Sequence, residues 1–488
     1  MRNIYFFNMV YILHMSFLKP SELIKIPEYT DWSSEKEIEL SNNIKINVLE
    51  GQVKHKGCKG VSTLYKLPQI ATRKEVSTIR NLVKTSEFDS DPDSVDGMPT
   101  YELYIESPDI NKNKNSMKLD HLKKRAKLRK KLRKVMKPII ENRINPYIRS
   151  MYSKHSDPSR QCTPCYSFIR RYKKNERRSH ETHRDGHAFV TVVISLADYE
   201  TEYKGGLYVA TADRYKSMIR LNRGDGVVHQ YDLLHGVKVY DNDFGERWSW
   251  VIWYKDSVDC TDFSKEWFKD KALEGIPVYQ ALYANVAPQN EMIVWHEKAA
   301  ARGFTNSMVK LARAYLNLLP SHLEFSPEKA ENLYKKAIRV TRDPHAQYGL
   351  AQMMLGGLIQ FKNQSTSDLL KGVVILLEES AKGGNVFAMF NLGVAHLYGY
   401  TGVQNSELAK DWFEIANLPE GFIAASMYYN SVGKTQLAEI LKSRAHKMGF
   451  GSAWRQVARQ NTGLGGAAGV DINLPWPALP NGMKPPVW

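Results

Sequence analysis

At 488 residues the chain has room for two or three domains. Its 43% hydrophobic and 25% charged residues are the proportions of globular protein, which excludes a disordered or fibrous chain, and its four cysteines exclude a disulfide scaffold. The net charge of +16 is concentrated rather than spread: residues 118–137, KLDHLKKRAKLRKKLRKVMK, carry eleven Lys or Arg against one Asp and supply ten of the sixteen charges.

The N-terminus, MRNIYFFNMVYILHMSFLKP, sets Arg2 before an apolar run from Ile4 to Leu18 that Asn8 and His14 interrupt. It has the shape of a secretory signal or short anchor without a small-residue cleavage site, so the secretory pathway and the cytoplasm both stay open. No run of eighteen apolar residues follows it, and no further membrane span is expected. In the basic run, Leu122, Ala126, Leu128, Leu132, Val135 and Met136 recur at three- and four-residue steps, which predicts an amphipathic helix ended by Pro138. Its cationic face is a solvated flank, or a surface for an anionic membrane or an acidic protein. No aromatic-plus-basic motif accompanies it, so nucleic acid is not an expected partner. CTPC (162–165) lacks a second cysteine pair, which leaves a small disulfide loop or two free thiols rather than a zinc site.

The stretch SHETHRDGHAF (179–189) gathers His180, His183, Asp185 and His187, and FVTVVISL (189–196) is β-branched enough for a strand. A strand beginning near Thr182 puts His183, Asp185 and His187 on one face. GDGVVHQYDLLHGVKVY (224–240) adds His229 and His235, and GERWSWVIWY (245–254) is a strand whose alternate positions are Arg247, Ser249, Val251 and Trp253. Two imidazoles and one carboxylate leave positions open on a non-haem Fe(II) for a bidentate cosubstrate and dioxygen. The cosubstrate 2-oxoglutarate chelates through its 2-oxo acid end, and an Arg fork suits its far carboxylate.

Residues 64–258 resemble the prolyl 4-hydroxylase-like branch of the Fe(II)/2-oxoglutarate dioxygenases. The landmarks stand in that family's order: YKLPQIATRKEVSTIRNLVKTSEF (65–88) like its opening strand and helix, FIRRY (168–172), HRD (183–185), GGLYV (205–209), LLHGVKV (233–239) and RWSWVIWY (247–254). GGLYV departs from the family's GG-E-L-x-F element by lacking the acidic residue. The resemblance implies a β-rich α+β double-stranded β-helix (jelly roll) over 61–260, after a leader at 1–60. It makes His183, Asp185 and His235 the iron ligands. It makes Arg247, rather than Lys238, the partner of the distal carboxylate of 2-oxoglutarate, although many members carry Lys there at a shorter gap. Tyr172 would touch the same carboxylate and Ser249 would add a hydrogen bond. Trp253 is a pocket wall or a core aromatic, while His180, His187 and His229 are expected as packing or solvent-facing residues. The implied requirements are Fe(II) and 2-oxoglutarate, with ascorbate as accessory reductant. The implied reaction is hydroxylation of an unactivated C–H bond, in peptidyl-proline or alternatively in a free amino acid or small molecule, which could also be oxidatively cyclised.

Past Cys260 the strand signals stop. Ala272, Ala300, Ala337, Ala381, Ala416 and Ala445 mark recurrent small-residue segments spaced by 28, 37, 44, 35 and 29 residues, the signature of stacked helix pairs. They resemble Sel-one-like, tetratricopeptide-like repeats, best matched by residues 380–416. That implies an all-α solenoid over 261–456 whose curved surface binds a protein partner or substrate, or which only supports the first domain. A chain that is a scaffold alone, with an inactive first domain, is the reading from another class; the intact His183, Asp185, His235 and Arg247 argue against it. The Gly/Pro-rich tail, 457–488, predicts no regular structure, with Trp476 and Trp488 as possible docking points.

Overall fold

The computed structural model describes residues 19–20, 26–93, 95, 97–108, 119–152, 162–174, 176–211, 216–240, 245–261, 267–319, 321–359, 365–451 and 474–476. The apolar leader at 1–18 therefore lies outside the described residues, and among the described helices none is long and apolar enough to cross a membrane.

The first half is two sheets with a common core. The larger has nine strands in the order β1 (Lys36–Glu39), β2 (Lys45–Lys54), β3 (Val61–Leu67), β11 (Gly226–Gln230), β8 (Val190–Ser195), β13 (Arg247–Asp256), β6 (Cys162–Tyr172), β5 (Pro99–Glu106) and β4 (Asp89–Pro92). The smaller has four: β10 (Lys216–Met218), β9 (Gly205–Ala210), β12 (His235–Val239) and β7 (Ser179–His183). From β6 to β13 the chain crosses repeatedly between them, with β6, β8, β11 and β13 in one sheet and β7, β9, β10 and β12 in the other. Leu64, Tyr172, Leu207, Val209, Val227, Val237 and Val239 fill the space between the facing surfaces. Two corrections follow. The sheet begins at Lys36, not 61, because β2 pairs with β3 along its length. The expected strand through 182–189 is broken: β7 ends at His183, and a turn in which Ala188 N–H donates to Asp185 O (2.9 Å) carries the chain across to β8.

Helices cover the outer face of the large sheet. Helix α1 (Arg73–Val83) starts at a Thr72–Glu75 capping box and buries Val76, Ile79 and Val83. Helix α2 (Leu119–Ile139) is the basic run, and it sorts its cations by type. Arg125 pairs with Asp89 at 2.7 Å, Arg129 donates to Tyr104 O at 2.8 Å, and Arg133 binds Glu106 and Ile105 O, one turn after another along β4 and β5. Lys123, Lys124, Lys127, Lys130, Lys131, Lys134 and Lys137 are exposed. The planar guanidinium forks serve as inward ties, and the strongly hydrated ammoniums stay in water. Leu132 and Met136 are buried as expected, whereas Ala126 is exposed. Pro138 does not stop the helix: a π-turn, Ile140–Ile144, absorbs the disturbed backbone ladder, and α3 (Asn145–Tyr152) continues.

The expected boundary near 260 also moves. Helices α4 (Lys269–Leu273), α5 (Pro277–Ala284) and α6 (Gln289–Ala301) contribute Ala272, Val278, Leu282, Tyr283, Trp295 and Ala299 to the outer-face core, and Phe268 and Phe304 flank them there, together with Ile169, Val192, Trp250 and Ile252 of the sheet. Helix α6 is shared: its Ile293 and Ala300 belong to the core of the repeats that follow. Cys165 is disulfide-bonded to Cys260, tying β6 to the chain beyond β13, and Cys162 is a buried free thiol; CTPC is thus neither a closed loop nor a pair of thiols.

The second half stacks α7 (Thr305–Tyr315), α8 (Pro327–Thr341), α9 (Pro344–Leu355), α10 (Thr366–Lys382), α11 (Val386–Tyr398), α12 (Ser406–Ala416), α13 (Pro419–Ser431) and α14 (Thr435–Lys447). Asp343 and Asn385 cap α9 and α11 through their side-chain oxygens. Close packing explains the small residues: a Cβ on Gly349 would lie 2.4 Å from the Tyr334 ring, and one on Gly393 2.6 Å from Phe413. From the tail, Trp476 docks on the repeats, stacked on Tyr400 at 4.7 Å with its indole N–H donating to Asn391 Oδ1 at 3.1 Å. Trp488 lies outside the described residues.

Candidate metal centre

Adjacent strands of the small sheet bring two imidazoles together. His183, the last residue of β7, is the direct cross-strand partner of His235, the first of β12. Their rings are 4.5 Å apart, and both side chains point into the space between the sheets. The turn after β7 then delivers Asp185, whose Oδ2 accepts from Thr191 Oγ1 (2.7 Å) on β8 of the opposite sheet. His183 Nε2 lies 3.4 Å from Asp185 Oδ1, and His235 Nε2 lies 3.7 Å from Asp185 Oδ2. One ligand atom from each of the three falls within 4.8 Å of the others, and all three residues are buried or nearly so.

The other ring nitrogens are already engaged. His183 Nδ1 is 2.7 Å from Glu181 O, and His235 Nδ1 is 3.1 Å from Leu233 O. An Nδ1–H donated to a carbonyl leaves the lone pair on Nε2, facing Asp185. Burial raises the Asp185 carboxyl, but His235 and His183 more than offset this and hold it well below its ordinary range. Burial pushes the His235 imidazole well down. Burial lowers the His183 imidazole, but the Asp185 carboxylate beside it more than offsets this and raises it. Two imidazole nitrogens and a carboxylate converging on one point fit a divalent metal with open positions, whose binding requires both ring nitrogens free of protons.

Arg247, at the start of β13, is a guanidinium with 2% exposure. Among the described residues no carboxylate pairs with it; its Nη1 donates a 3.4 Å hydrogen bond to Ser249 Oγ. Its strand partner is Tyr172, whose ring lies 5.5 Å from the guanidinium carbon. The Tyr172 hydroxyl and Arg247 Nε are both buried with no hydrogen-bond partner. A buried cation beside an unsatisfied hydroxyl is costly unless an anion completes it. Space for one is maintained by Gly206, at φ +117°, where a Cβ would stand 2.9 Å from the Tyr203 ring and 3.5 Å from Arg247 Nε. The structure thus gathers Tyr172, Arg247 and Ser249 as one group. Tyr203 joins them: burial raises its hydroxyl and Arg247 partly offsets that. No sequence motif marked it. Lys238 is on the outer face of the small sheet, in register with Gly206 of β9 and Ser179 of β7.

The remaining expected residues divide. Trp253 makes an edge contact with His187 at 4.2 Å and packs on Phe168 at 4.7 Å; it is half-buried, a wall aromatic outside the hydrophobic core. His229 is fully buried, its ring 4.5 Å from His235 and its Nε2 without a partner among the described residues. His180 lies in β7 with 2% exposure, between Asp93 and His183.

Residues 305–339, 344–367 and 386–417 match the family described as Sel1 repeat. The second half is built of Sel1 repeats. Among solved structures, the chain is similar to a Sel1 repeat protein from Oxalobacter formigenes at 20% identity and a TM-score of 0.35, over 40% of this chain and 58% of that one. It is similar to an oxidoreductase of the 2OG-Fe(II) oxygenase family from Burkholderia pseudomallei at 16% identity and a TM-score of 0.28, over 40% of this chain and 84% of that one. A Pseudomonas putida prolyl-4-hydroxylase is matched at 12% identity and a TM-score of 0.24, over 39% of this chain and 91% of that one. The chain spans little more than half the length of the Oxalobacter protein, and no curated protein matches it.

Arg184, between His183 and Asp185, donates to Asp232 O at 3.0 Å and lies over the ring of Phe304, the residue just before the first repeat, at 5.5 Å. At the other end of β7, Asn417 Nδ2 donates to Ser179 Oγ at 2.6 Å.

Proposed function

We propose that this protein is an Fe(II)- and 2-oxoglutarate-dependent dioxygenase with a double-stranded β-helix catalytic domain, hydroxylating an unactivated C–H bond of a peptidyl-proline. The observation that carries the reading is the convergence of His183 Nε2, His235 Nε2 and an Asp185 oxygen within 4.8 Å, with both Nδ1 atoms turned to backbone carbonyls. The eight-strand alternation between sheets supports the β-helix. Bound Fe(II) supplies the redox chemistry by which dioxygen is divided between the substrate, which gains a hydroxyl, and 2-oxoglutarate, which leaves as succinate and carbon dioxide.

The chain's own residues do the rest. His183, Asp185 and His235 hold the metal by one side and leave the other open. Arg247, with the Tyr172 hydroxyl and Ser249, neutralises the distal carboxylate of 2-oxoglutarate away from water, where charge pairing is strongest. Val193, Val227 and Val251 keep the interior between the sheets apolar. The Sel1 repeats supply a surface for a polypeptide substrate or partner, which favours peptidyl-proline over a free amino acid. The Cys165–Cys260 disulfide favours passage through an oxidising compartment.

The test is succinate release, with Fe(II), 2-oxoglutarate and ascorbate, across proline-containing peptides and free amino acids. Turnover with peptides alone is the expected result. Turnover only with a free amino acid would replace the substrate class, and no visible charge-transfer band with anaerobic Fe(II) and 2-oxoglutarate would remove the reading altogether.

A further inference from the structure

Behind His183 stands a chain of hydrogen bonds that the metal constellation does not include. His180 Nδ1 is 3.1 Å from His183 Nδ1, and His180 Nε2 is 2.8 Å from Asp93 Oδ2. Asp93 lies just past β4, at the far edge of the large sheet, and its Oδ1 accepts the Val95 N–H at 2.8 Å. Around it are Arg170, at 3.8 Å, and Arg177, whose Nη1 donates to Met98 O at 3.1 Å; Arg170 itself is paired with Glu102.

We infer that Asp93 and His180 are a positioning pair that fixes the ring tautomer of His183 and so decides which of its nitrogens is presented to a metal. The protons follow from the partners. A carboxylate only accepts, so the His180 proton sits on Nε2. His180 Nδ1 is then a lone pair, and it accepts from His183 Nδ1–H, which it shares with Glu181 O. His183 Nε2 is left as a lone pair aimed at Asp185. Each neutral ring has one possible arrangement once Asp93 is a carboxylate, and the two rings and two acids form a single polarised chain. The same chain makes His183 the more electron-rich of the two imidazoles, since His235 Nδ1 has only a backbone carbonyl behind it.

The inference rests on the proposed metal site, and the test separates the two. Asp93→Asn keeps the shape. Val95 N–H holds the carbonyl oxygen of Asn at the Oδ1 position, so the amide NH₂ faces His180. His180 must then accept at Nε2 and carry its proton on Nδ1, opposing the His183 Nδ1–H. Relieving that clash moves the His183 proton to Nε2, where it blocks the metal. In anaerobic Co(II) titrations followed by visible absorption, without cosubstrate, Asp93→Asn should weaken binding about 10–100-fold. Removing the misdirected ring should restore most of it, so Asp93→Asn combined with His180→Ala should bind more tightly than Asp93→Asn alone. A merely structural role predicts the opposite order. Wild-type affinity in Asp93→Asn, alongside loss in His235→Ala, would overturn the pair while leaving the site. No Co(II) binding by the wild type would overturn both. Should Asp93→Asn not fold, long-range ¹⁵N–¹H correlation of the metal-free wild type still decides: a proton on His183 Nδ1 is expected, and an Nδ1 without one overturns the inference.

Discussion

Between the sheets, several buried polar groups are left incomplete among the described residues: Arg247 Nε, the Tyr172 hydroxyl and His229 Nε2 each lack a hydrogen-bond partner. In the Sel1 repeats, buried polar groups such as Asp343 and Asn385 are spent on helix caps, and the tight contacts are glycine against an aromatic ring. The first region keeps hydrogen-bonding capacity in reserve, at a cost that only a ligand relieves. The second leaves Gln347 Oε1 and Trp412 Nε1 without partners among the described residues, but on separate helices, α9 and α12, and it stakes its stability on shape. Polar capacity gathered around one buried cation, more than burial as such, separates a site from a scaffold in this molecule.

The sharpest way to break that contrast is at the ligands. His183→Ala, Asp185→Ala or His235→Ala should each abolish Co(II) binding, read by visible absorption, while the melting temperature of the metal-free protein stays within a few degrees of wild type, because a three-ligand site has no spare. If His235→Ala binds normally, His229 is the ligand and the β12 register has been misjudged. Arg247→Ala should come next. Loss of a buried charge pair, about 3–5 kcal/mol, corresponds to a rise of roughly two to four orders of magnitude in the apparent KM for 2-oxoglutarate, measured by succinate release, with Co(II) binding retained. Arg247→Lys should rescue in part, since it keeps the charge and loses the fork.

A shape-dependent change in the repeats should do the reverse. Gly349→Val and Gly393→Val press a branched side chain into Tyr334 and Phe413, and overpacking of this kind costs about 1–3 kcal/mol. The urea midpoint should fall while Co(II) affinity holds; a parallel loss of affinity would show that the two regions are one energetic unit.

The smallest effect is in pH. Burial, with Arg184 nearby, lowers the His55 pKa from 6.5 to about 4, and its Nε2 is 2.8 Å from Ser62 Oγ. Unfolded chains therefore take up the proton first as pH falls. The contribution of neutral His55 is complete above about 6.5 and declines below it toward pH 4, by at most about 1.4 kcal/mol per unit. His55→Gln should have a flatter urea midpoint between pH 7 and 5; an equal slope in both proteins would assign the dependence to other groups.

What the sequence displayed and what it hid divide along physical lines. His183, Asp185, His235 and Arg247 were legible because each sits in a short motif at a strand end, where spacing alone sets its neighbours. Asp93 was not, because it reaches His180 through the strand order β4-β5-β6 of one sheet across to β7 of the other, and no local pattern encodes sheet order. The part that α4 to α6 take in the sheet's core was hidden for a related reason. Their apolar stripes look the same whether they face a sheet or another helix pair, and only the packing shows α4 and α5 on the sheet and α6 shared between the sheet and the repeats. The Arg and Lys residues of α2 read as one charge run, although the arginines face protein and the lysines face water.

That shared core matters during synthesis. The last strand of the large sheet is complete at Asp256, but the outer-face core is not complete until Phe304 has been added, roughly fifty residues later. At the usual elongation rate of about 5–20 residues per second, this leaves the face with only its earlier helices, α1 to α3, for about 2–10 s on every chain. A ribosome that pauses in that interval would prolong the time in which two nascent chains can meet through the same half-covered face.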